Sequence, residues 1–162
     1  MNPRRFRVLV LCTGNSARSI LGEYLLRRLD PQRFETASAG AEPKGTVHPM
    51  ALAVLRERYG IDASDAWSKR TDQLTGGDFD LVLTVCDHAR DACPIWPGTS
   101  AVVHWGLPDP AAVEGPESAV REAFEAVAAE LDRRFRRLVT LPLETQSRDE
   151  RVRAVAALAE AT

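Results

Sequence analysis

The sequence predicts an α/β fold of three layers, with a four-stranded parallel sheet between helices on both faces. Two observations support this prediction. Short runs suited to buried strands alternate along the 162-residue chain with longer segments that have helical spacing of apolar residues. The first run, residues 8–11, is continuously apolar, as in strands that are covered on both faces. Such alternation is typical of a parallel sheet with helices on both sides.

The elements of the first half follow in order. Strand 8–11 leads through a short polar loop into a helix, and residues 34–39 are a second strand before a loop at 40–45. A second helix is predicted to begin near Pro49 and to stop at Gly60, because proline suits the first helical position and glycine the end. The first helix is indicated by the spacing of Ala17, Ile20, Leu21, Tyr24, Leu25, Arg28 and Leu29.

The second half continues the pattern. Residues 79–85 and 100–104 are predicted as the third and fourth strands. A helix capped by Ser147 is predicted near the end of the chain, although its apolar stripe is thin. A long amphipathic helix between them is indicated by Val120, Phe124, Val127, Leu131, Phe135 and Leu138.

The composition is that of one globular domain. A chain of this length buries about two-thirds of its unfolded surface, and 44% apolar with 27% charged residues is typical of globular proteins. The formal net charge of −2 gives no reason to expect nucleic acid as a partner, and no stretch suggests a membrane span. Three cysteines without a secretory signal indicate a cytoplasmic location.

The segment from Cys12 to Ser19 carries the strongest functional signal. A strand delivers Cys12 to a small polar loop, and Arg18 follows as the next helix begins. A nucleophilic cysteine acts as a thiolate, which a helix N-terminus or a nearby cation favours. The loop N–H groups can form a nest for a tetrahedral anion that the guanidinium closes. The predicted oxyanion-binding residues are Thr13, Gly14, Asn15, Ser16, Ala17, Arg18 and Ser19.

This segment, with Asp109-Pro110, resembles the low-molecular-weight tyrosine phosphatase superfamily, and residues 6–139 resemble its arsenate reductase branch. The resemblance implies the phosphatase-like version of the α/β fold. It implies that Cys12 is the nucleophile, that Arg18 binds the oxyanion and that Ser19 donates to the thiolate. It also implies a bracing role for the loop asparagine, a residue type that tolerates left-handed backbone. The alternative, a small core cysteine before an ordinary turn, is disfavoured by the strand, loop and helix context.

Cys86 and Cys93 distinguish a reductase from a phosphatase, since both classes share the loop. Strand 79–85 delivers Cys86 to the sheet edge that carries Cys12. The resemblance to thioredoxin-coupled arsenate reductases implies a relay in which Cys12 attacks arsenate, Cys86 attacks Cys12 and expels arsenite, and Cys93 attacks Cys86. Thioredoxin would then reduce the Cys86–Cys93 disulfide. Phosphate and sulfate are the expected competing oxyanions.

The spacing of Cys86 and Cys93 has a consequence of its own. In a helix the two residues would lie roughly 10 Å apart, whereas a disulfide requires Cα atoms about 4.4 to 6.8 Å apart. Oxidation is therefore expected to unwind or fold this segment, where Pro94 and Pro97 already disfavour regular structure. Two alternatives stay open: separate buried thiols, and a metal site with His88, which lacks a fourth ligand at a recognisable spacing.

Asp109 is the candidate general acid. It lies between two prolines, and a carboxyl held over the loop would protonate an oxygen that leaves arsenic. Asp-Pro is also a frequent turn pair, so this assignment depends on the resemblance. Tyrosine phosphatases usually follow the dipeptide with aromatic residues that frame phosphotyrosine, but Ala-Ala-Val-Glu stands at 111–114 here.

No metal or other cofactor is predicted. Some relatives bind potassium beside the loop through an acidic residue near Ser68, where this chain has Lys69, whose charge would take the cation's place. Some relatives also have a further loop cysteine where this chain has Ala17. That cysteine lies outside the three-thiol relay, so its replacement does not affect the reading.

The sequence therefore predicts a cytoplasmic arsenate reductase with one catalytic α/β domain at residues 1–139. Residues 140–162 form a C-terminal extension, predicted as helical and as part of the same domain. The rival hypotheses are a phosphatase that hydrolyses aryl phosphates and a non-catalytic oxyanion-binding redox switch. Thioredoxin and glutathione systems both accept exposed disulfides, so the reductant stays open at this point.

Overall fold

Four parallel strands form the sheet that the sequence predicts. The computed structural model describes residues 4–70, 79–85 and 100–160, and the strand order within them is β2-β1-β3-β4. β1 and β2 pair from Phe6 opposite Phe34 to Cys12 opposite Gly40, which is why β1 extends beyond its apolar run. The strands are β1 (Phe6–Cys12), β2 (Phe34–Gly40), β3 (Leu81–Thr84) and β4 (Ala101–His104).

The described helices are α1 (Arg18–Leu29), α2 (Pro49–Tyr59), α3 (Glu117–Leu138) and α4 (Arg148–Ala157). α2 begins and ends as predicted: its first residue is proline, and Gly60 ends it with a φ of 67°. The His48 side chain caps α2 by accepting the N–H of Met50 at 3.0 Å. None of these helices combines the length and the apolar character that crossing a membrane requires.

Both faces of β1 are covered. Val8, Leu9 and Val10 are fully buried, and successive side chains of a strand point to opposite faces of the sheet. α1 packs so closely on one face that a Cβ atom at Gly22 would lie 3.0 Å from the Val10 side chain. This arrangement confirms the predicted three-layer α/β class.

The C-terminal extension contacts the rest of the chain. The Ser147 hydroxyl and the Glu150 carboxylate form a capping box at the start of α4, as the predicted cap requires. The buried Trp105, just after β4, donates its indole N–H to the carbonyl of Val155 at 3.0 Å. Inclusion of residues 140–162 in one domain stays a prediction, which these contacts support.

The carboxyl ends of the strands meet at one edge of the sheet. The N–H of Val85, just after β3, donates to the carbonyl of Leu11 at 2.9 Å. Beyond β4, the N–H of Leu107 donates to the carbonyl of Val85 at 3.1 Å. The end of β1 and residues 105–109 therefore lie at the same edge of the sheet, on either side of Val85, where α/β sheets bind ligands.

Candidate active site

The loop between β1 and α1 turns its amide groups inward. The carbonyls of Thr13, Gly14 and Ser16 accept hydrogen bonds from surrounding backbone at 2.9, 3.0 and 3.0 Å. The N–H of each planar peptide points opposite to its carbonyl, so the N–H groups that follow these carbonyls face the interior of the loop. Such converging amides form an anion-binding nest. The donors to the three carbonyls are the N–H groups of Glu42, Lys44 and His48.

Gly40 packs against the backbone of the loop, a role that the sequence reasoning missed. A Cβ atom at this position would lie 2.5 Å from the Thr13 carbonyl oxygen and 2.8 Å from the Asn15 nitrogen. The last residue of β2 therefore has to be glycine for the loop to keep this shape. A glycine that ends a strand is common, so no local signal marks it.

Cys12, Ser19 and Asn15 form a buried chain of hydrogen bonds. Cys12 Sγ lies 2.9 Å from Ser19 Oγ, and the Asn15 amide donates to the same oxygen at 2.8 Å. Because Ser19 Oγ accepts from Asn15, its own proton is available to the sulfur, which favours the thiolate. Asn15 has a φ of 42°, the only positive φ among the described residues other than glycine.

Arg18 and Asp109 meet at the mouth of the loop. Arg18 donates to the carbonyl of Leu107 at 2.9 Å, and its guanidinium lies 3.6 Å from the Asp109 carboxylate. The carboxylate also accepts the N–H of Ala111 at 3.0 Å, which fixes the Asp109 side chain at the start of a short 3₁₀ turn, Pro110–Ala112. The structure thus brings together residues that lie far apart in the sequence.

These side chains enclose a cavity of about 380 Å³. It is large enough for a tetrahedral oxyanion, and Arg18 and Lys44 place two cations beside it. Within the described parts of the chain, its lining contains no aromatic residue. The lining residues are Cys12, Thr13, Gly14, Ser16, Ala17, Arg18, Glu42, Lys44, Asp109 and Ala111.

His48 is a neighbour of the site that the sequence reasoning did not single out. Its ring packs on Phe124 with centroids 4.7 Å apart. Burial lowers its pKa, the Lys44 ammonium lowers it further, and the Asp109 carboxylate opposes the shift. The neutral ring is the form that accepts the N–H of Met50 and caps α2, and a lowered pKa favours that form.

The structure does not test every residue that the sequence analysis considered. Cys86, His88 and Cys93 lie outside the described residues. Lys69 lies beside the loop, and its backbone N–H donates to Asn15 Oδ1 at 2.7 Å. In the ranges that the structure covers, no group of three or more histidine, cysteine or carboxylate side chains is placed to hold a metal ion. The absence of a required metal stays a prediction.

Comparison with known proteins supplies the family. Residues 7–152 match the family described as Low molecular weight phosphotyrosine protein phosphatase. The arsenate reductase of Halalkalibacterium halodurans is 38% identical over 80% of this chain and 91% of its own length.

Solved structures agree with the fold. A structure described as an arsenate reductase in the phosphate binding state has a TM-score of 0.69 at 28% identity and covers 83% of this chain and 96% of its own. The thioredoxin-dependent arsenate reductase of Corynebacterium glutamicum has a TM-score of 0.66 at 31% identity, over 86% of this chain and 63% of that one. These likenesses confirm the phosphatase-like α/β fold.

Proposed function

Since the chain belongs to the low-molecular-weight phosphotyrosine protein phosphatase family, we propose that it is an arsenate reductase of this family, with Cys12 as the nucleophile. The similarity to a named arsenate reductase over nearly the whole length of that relative is the observation that carries the proposal. A relative with a phosphate-bound structure supports a site for tetrahedral oxyanions.

The arrangement of the cavity supports an inorganic oxyanion rather than an aryl phosphate. Ala111 lines the cavity just after Asp109-Pro110, the position where tyrosine phosphatases usually present aromatic residues. Arg18 and Lys44 line the cavity with positive charge, whereas a phosphotyrosine ring would need an apolar surface to pack against. A small anion with several charged oxygens matches this cavity better than an ester with a flat apolar group.

The first chemical step uses only described residues. The Cys12 thiolate attacks arsenic, an As–S bond forms, and one As–O bond breaks. Asp109 donates a proton to the departing oxygen, which leaves as water. The inward N–H groups and Arg18 hold the remaining oxygens and the charge that develops on them.

Reduction of arsenic requires Cys86, and the return of Cys12 to its thiolate requires Cys93. Cys86 attacks Cys12 Sγ, the Cys12–Cys86 disulfide forms, and the As–S bond breaks. The electron pair of the As–S bond stays on arsenic, which leaves as arsenite. Cys93 then attacks Cys86 and releases Cys12 as a thiolate. A dithiol reductant, thioredoxin in this proposal, returns the Cys86–Cys93 disulfide to two thiols. Such a relay suits the reducing cytosol. In support, Val85, which precedes Cys86, donates its N–H to the carbonyl of Leu11, which precedes Cys12.

The direct test follows reductant consumption when arsenate is added. Reduced thioredoxin and glutathione with glutaredoxin are supplied in turn, and arsenite is quantified. Stoichiometric arsenite with thioredoxin supports the proposal. Hydrolysis of an aryl phosphate without any reductant would identify a phosphatase, and tight oxyanion binding with one slow oxidation would identify a redox switch.

Asp109→Asn is expected to lower kcat by roughly a hundredfold or more, the usual size of a general-acid contribution. Asparagine can still accept the N–H of Ala111, so the turn is preserved while the proton donor is lost. Steady-state arsenate reduction with thioredoxin measures the effect, with phosphate affinity as the control for an intact cavity. An unchanged kcat would leave Asp109 as a turn residue only.

Lys44→Met is expected to weaken phosphate and arsenate binding about tenfold, because it removes one of two cations beside a dianion. Titration calorimetry with phosphate measures the change. Arg5→Met is the matched control, since Arg5 precedes β1 and so lies at the opposite edge of the sheet. Equal affinity in the Lys44 variant and the wild type would remove Lys44 from the oxyanion site.

A further inference from the structure

The C-terminal helix α4 is fastened to the chain just beyond both ends of β4. Before the strand, Arg148 Nε donates to the carbonyl of Ser100 at 3.2 Å. After the strand, the indole N–H of Trp105 donates to the carbonyl of Val155 at 3.0 Å. Within the described residues, β4 stands at the end of the strand order, next to β3. α4 therefore adds a second support to an edge strand.

The bond from Trp105 suits the chemistry of both partners. Val155 lies in the last turn of α4, where helix carbonyl groups lack a full set of partners within the helix. An indole N–H can only donate, and a buried one needs an acceptor. Trp105 is fully buried, and its ring packs on Phe135 of α3 with centroids 5.5 Å apart. The side chain is therefore held between α3 and the end of α4.

Trp105 begins the segment that leads to the candidate general acid, residues 105–109, which we name the acid loop. The backbone N–H of Trp105 donates to the carbonyl of Thr84 at 2.7 Å. Two residues later, the N–H of Leu107 donates to the carbonyl of Val85 at 3.1 Å. The start of the acid loop is thus fixed through its backbone by the end of β3 and through its side chain by α4.

The far end of the acid loop reaches the oxyanion cavity. The Leu107 carbonyl accepts from Arg18 at 2.9 Å, and the same guanidinium lies 3.6 Å from the Asp109 carboxylate. Pro108 and Pro110 flank Asp109 and restrict the backbone on both sides of it. A shift at the start of the loop is therefore passed on to the carboxylate, because the residues beside the carboxylate have little freedom to absorb it.

We propose that α4 positions the general acid: the Val155 carbonyl holds the Trp105 indole, and this bond sets where the Asp109 carboxylate stands over the cavity. Trp105 is buried and does not line the cavity, so it is a positioning residue that acts through the acid loop. The inference rests on the proposed function, in which Asp109 donates a proton to the departing oxygen. It gives the C-terminal extension a part in the reaction.

Trp105→Phe keeps an aromatic ring on Phe135 and removes the N–H donor. We expect kcat for arsenate reduction to fall about tenfold while phosphate affinity stays within about twofold, because a small displacement of a reacting group slows chemistry more than it weakens binding. Steady-state assays with thioredoxin give kcat, and titration calorimetry gives the phosphate affinity. A loss confined to phosphate affinity would contradict positioning of the acid.

The Asp109→Asn background separates positioning from general damage. If Trp105 acts through the Asp109 proton, Trp105→Phe should lower kcat no further once that proton is gone. A merely structural effect of the smaller ring would lower kcat by the same factor in both backgrounds. That result would overturn the inference.

Ala156→Pro tests the same bond from α4. Proline at 156 disfavours the helical conformation of the preceding Val155, so the Val155 carbonyl turns away from an unaltered Trp105. We expect the kcat loss of Trp105→Phe again, and no further loss in the double variant. Arg151→Met is the matched control, because it removes another α4 contact, the bond from Arg151 to the Leu143 carbonyl at 2.7 Å, without touching the indole. This control should keep the wild-type kcat, and an equal loss in it would overturn the inference. Should Ala156→Pro fail to fold, the Trp105→Phe series decides.

Amide hydrogen exchange of the peptide that covers the acid loop gives a readout independent of turnover. Exchange at the Leu107 N–H should be faster in Trp105→Phe and Ala156→Pro than in the wild type, and unchanged in Arg151→Met. Unchanged exchange in the first two variants would overturn the inference even where the wild type reduces arsenate. A wild type that reduces no arsenate would contradict the proposed function, and the exchange rates would still decide whether α4 holds the loop.

Discussion

Cys12→Ser is expected to abolish arsenate reduction. A serine hydroxyl is not ionised near neutral pH and cannot form the disulfide that expels arsenite, so both steps at this position are lost. The loop amides and Arg18 do not depend on the sulfur, so phosphate binding should be retained. The measurement is arsenite formation with excess thioredoxin, with phosphate titration as the control for folding.

The same site predicts how wild-type Cys12 reacts. The Ser19 hydroxyl, the α1 N-terminus and Arg18 all surround the sulfur with groups that stabilise a negative charge, so Cys12 should be alkylated faster than a free thiol at neutral pH. Turnover by Cys12→Ser at the wild-type rate, or alkylation of wild-type Cys12 no faster than that of a free thiol, would contradict the proposed nucleophile.

Cys93→Ala is expected to release one arsenite per protein and then to stall. Release of arsenite uses only Cys12 and Cys86, whereas Cys93 moves the disulfide outward to where a protein reductant can attack it. The stalled product should be a Cys12–Cys86 disulfide. Cys86→Ala should release almost no arsenite, because no thiol is left to attack Cys12.

Peptide mapping of the oxidised proteins distinguishes these outcomes. Without reductant the wild type should accumulate the Cys86–Cys93 disulfide, and the segment between the two cysteines should lose amide protection if it was helical beforehand. Continuous turnover of Cys93→Ala with thioredoxin at the wild-type rate would contradict the three-thiol relay.

Much of the catalytic loop was predictable because its signals are local. Cys12, Arg18 and Ser19 fall within eight consecutive residues, and the strand and helix on either side are visible in the apolar spacing. The loop asparagine was assigned from its residue type and its motif, and its positive φ agrees with that assignment. The ends of α2 were predicted for the same reason, since proline and glycine act on their own backbone.

The support of the loop was not predictable. Gly40 and Lys44 reach the loop from 25 or more residues away in the sequence, through contacts that only the folded chain creates. Their residue types are ordinary, so no local pattern separates them from other glycines and charged residues.

The sequence by itself determined the element order, the nucleophilic loop and the cap of α4, because each depends on neighbouring residues and on backbone preferences. Only the tertiary structure decided that Arg18 meets Asp109, that Asn15 meets Lys69, and that α4 packs on Trp105. These contacts join residues about 50 to 90 positions apart. The contacts at the site form because parallel pairing brings the carboxyl ends of the strands to one edge of the sheet. Patterns of neighbouring residues do not show which distant segments meet in this way.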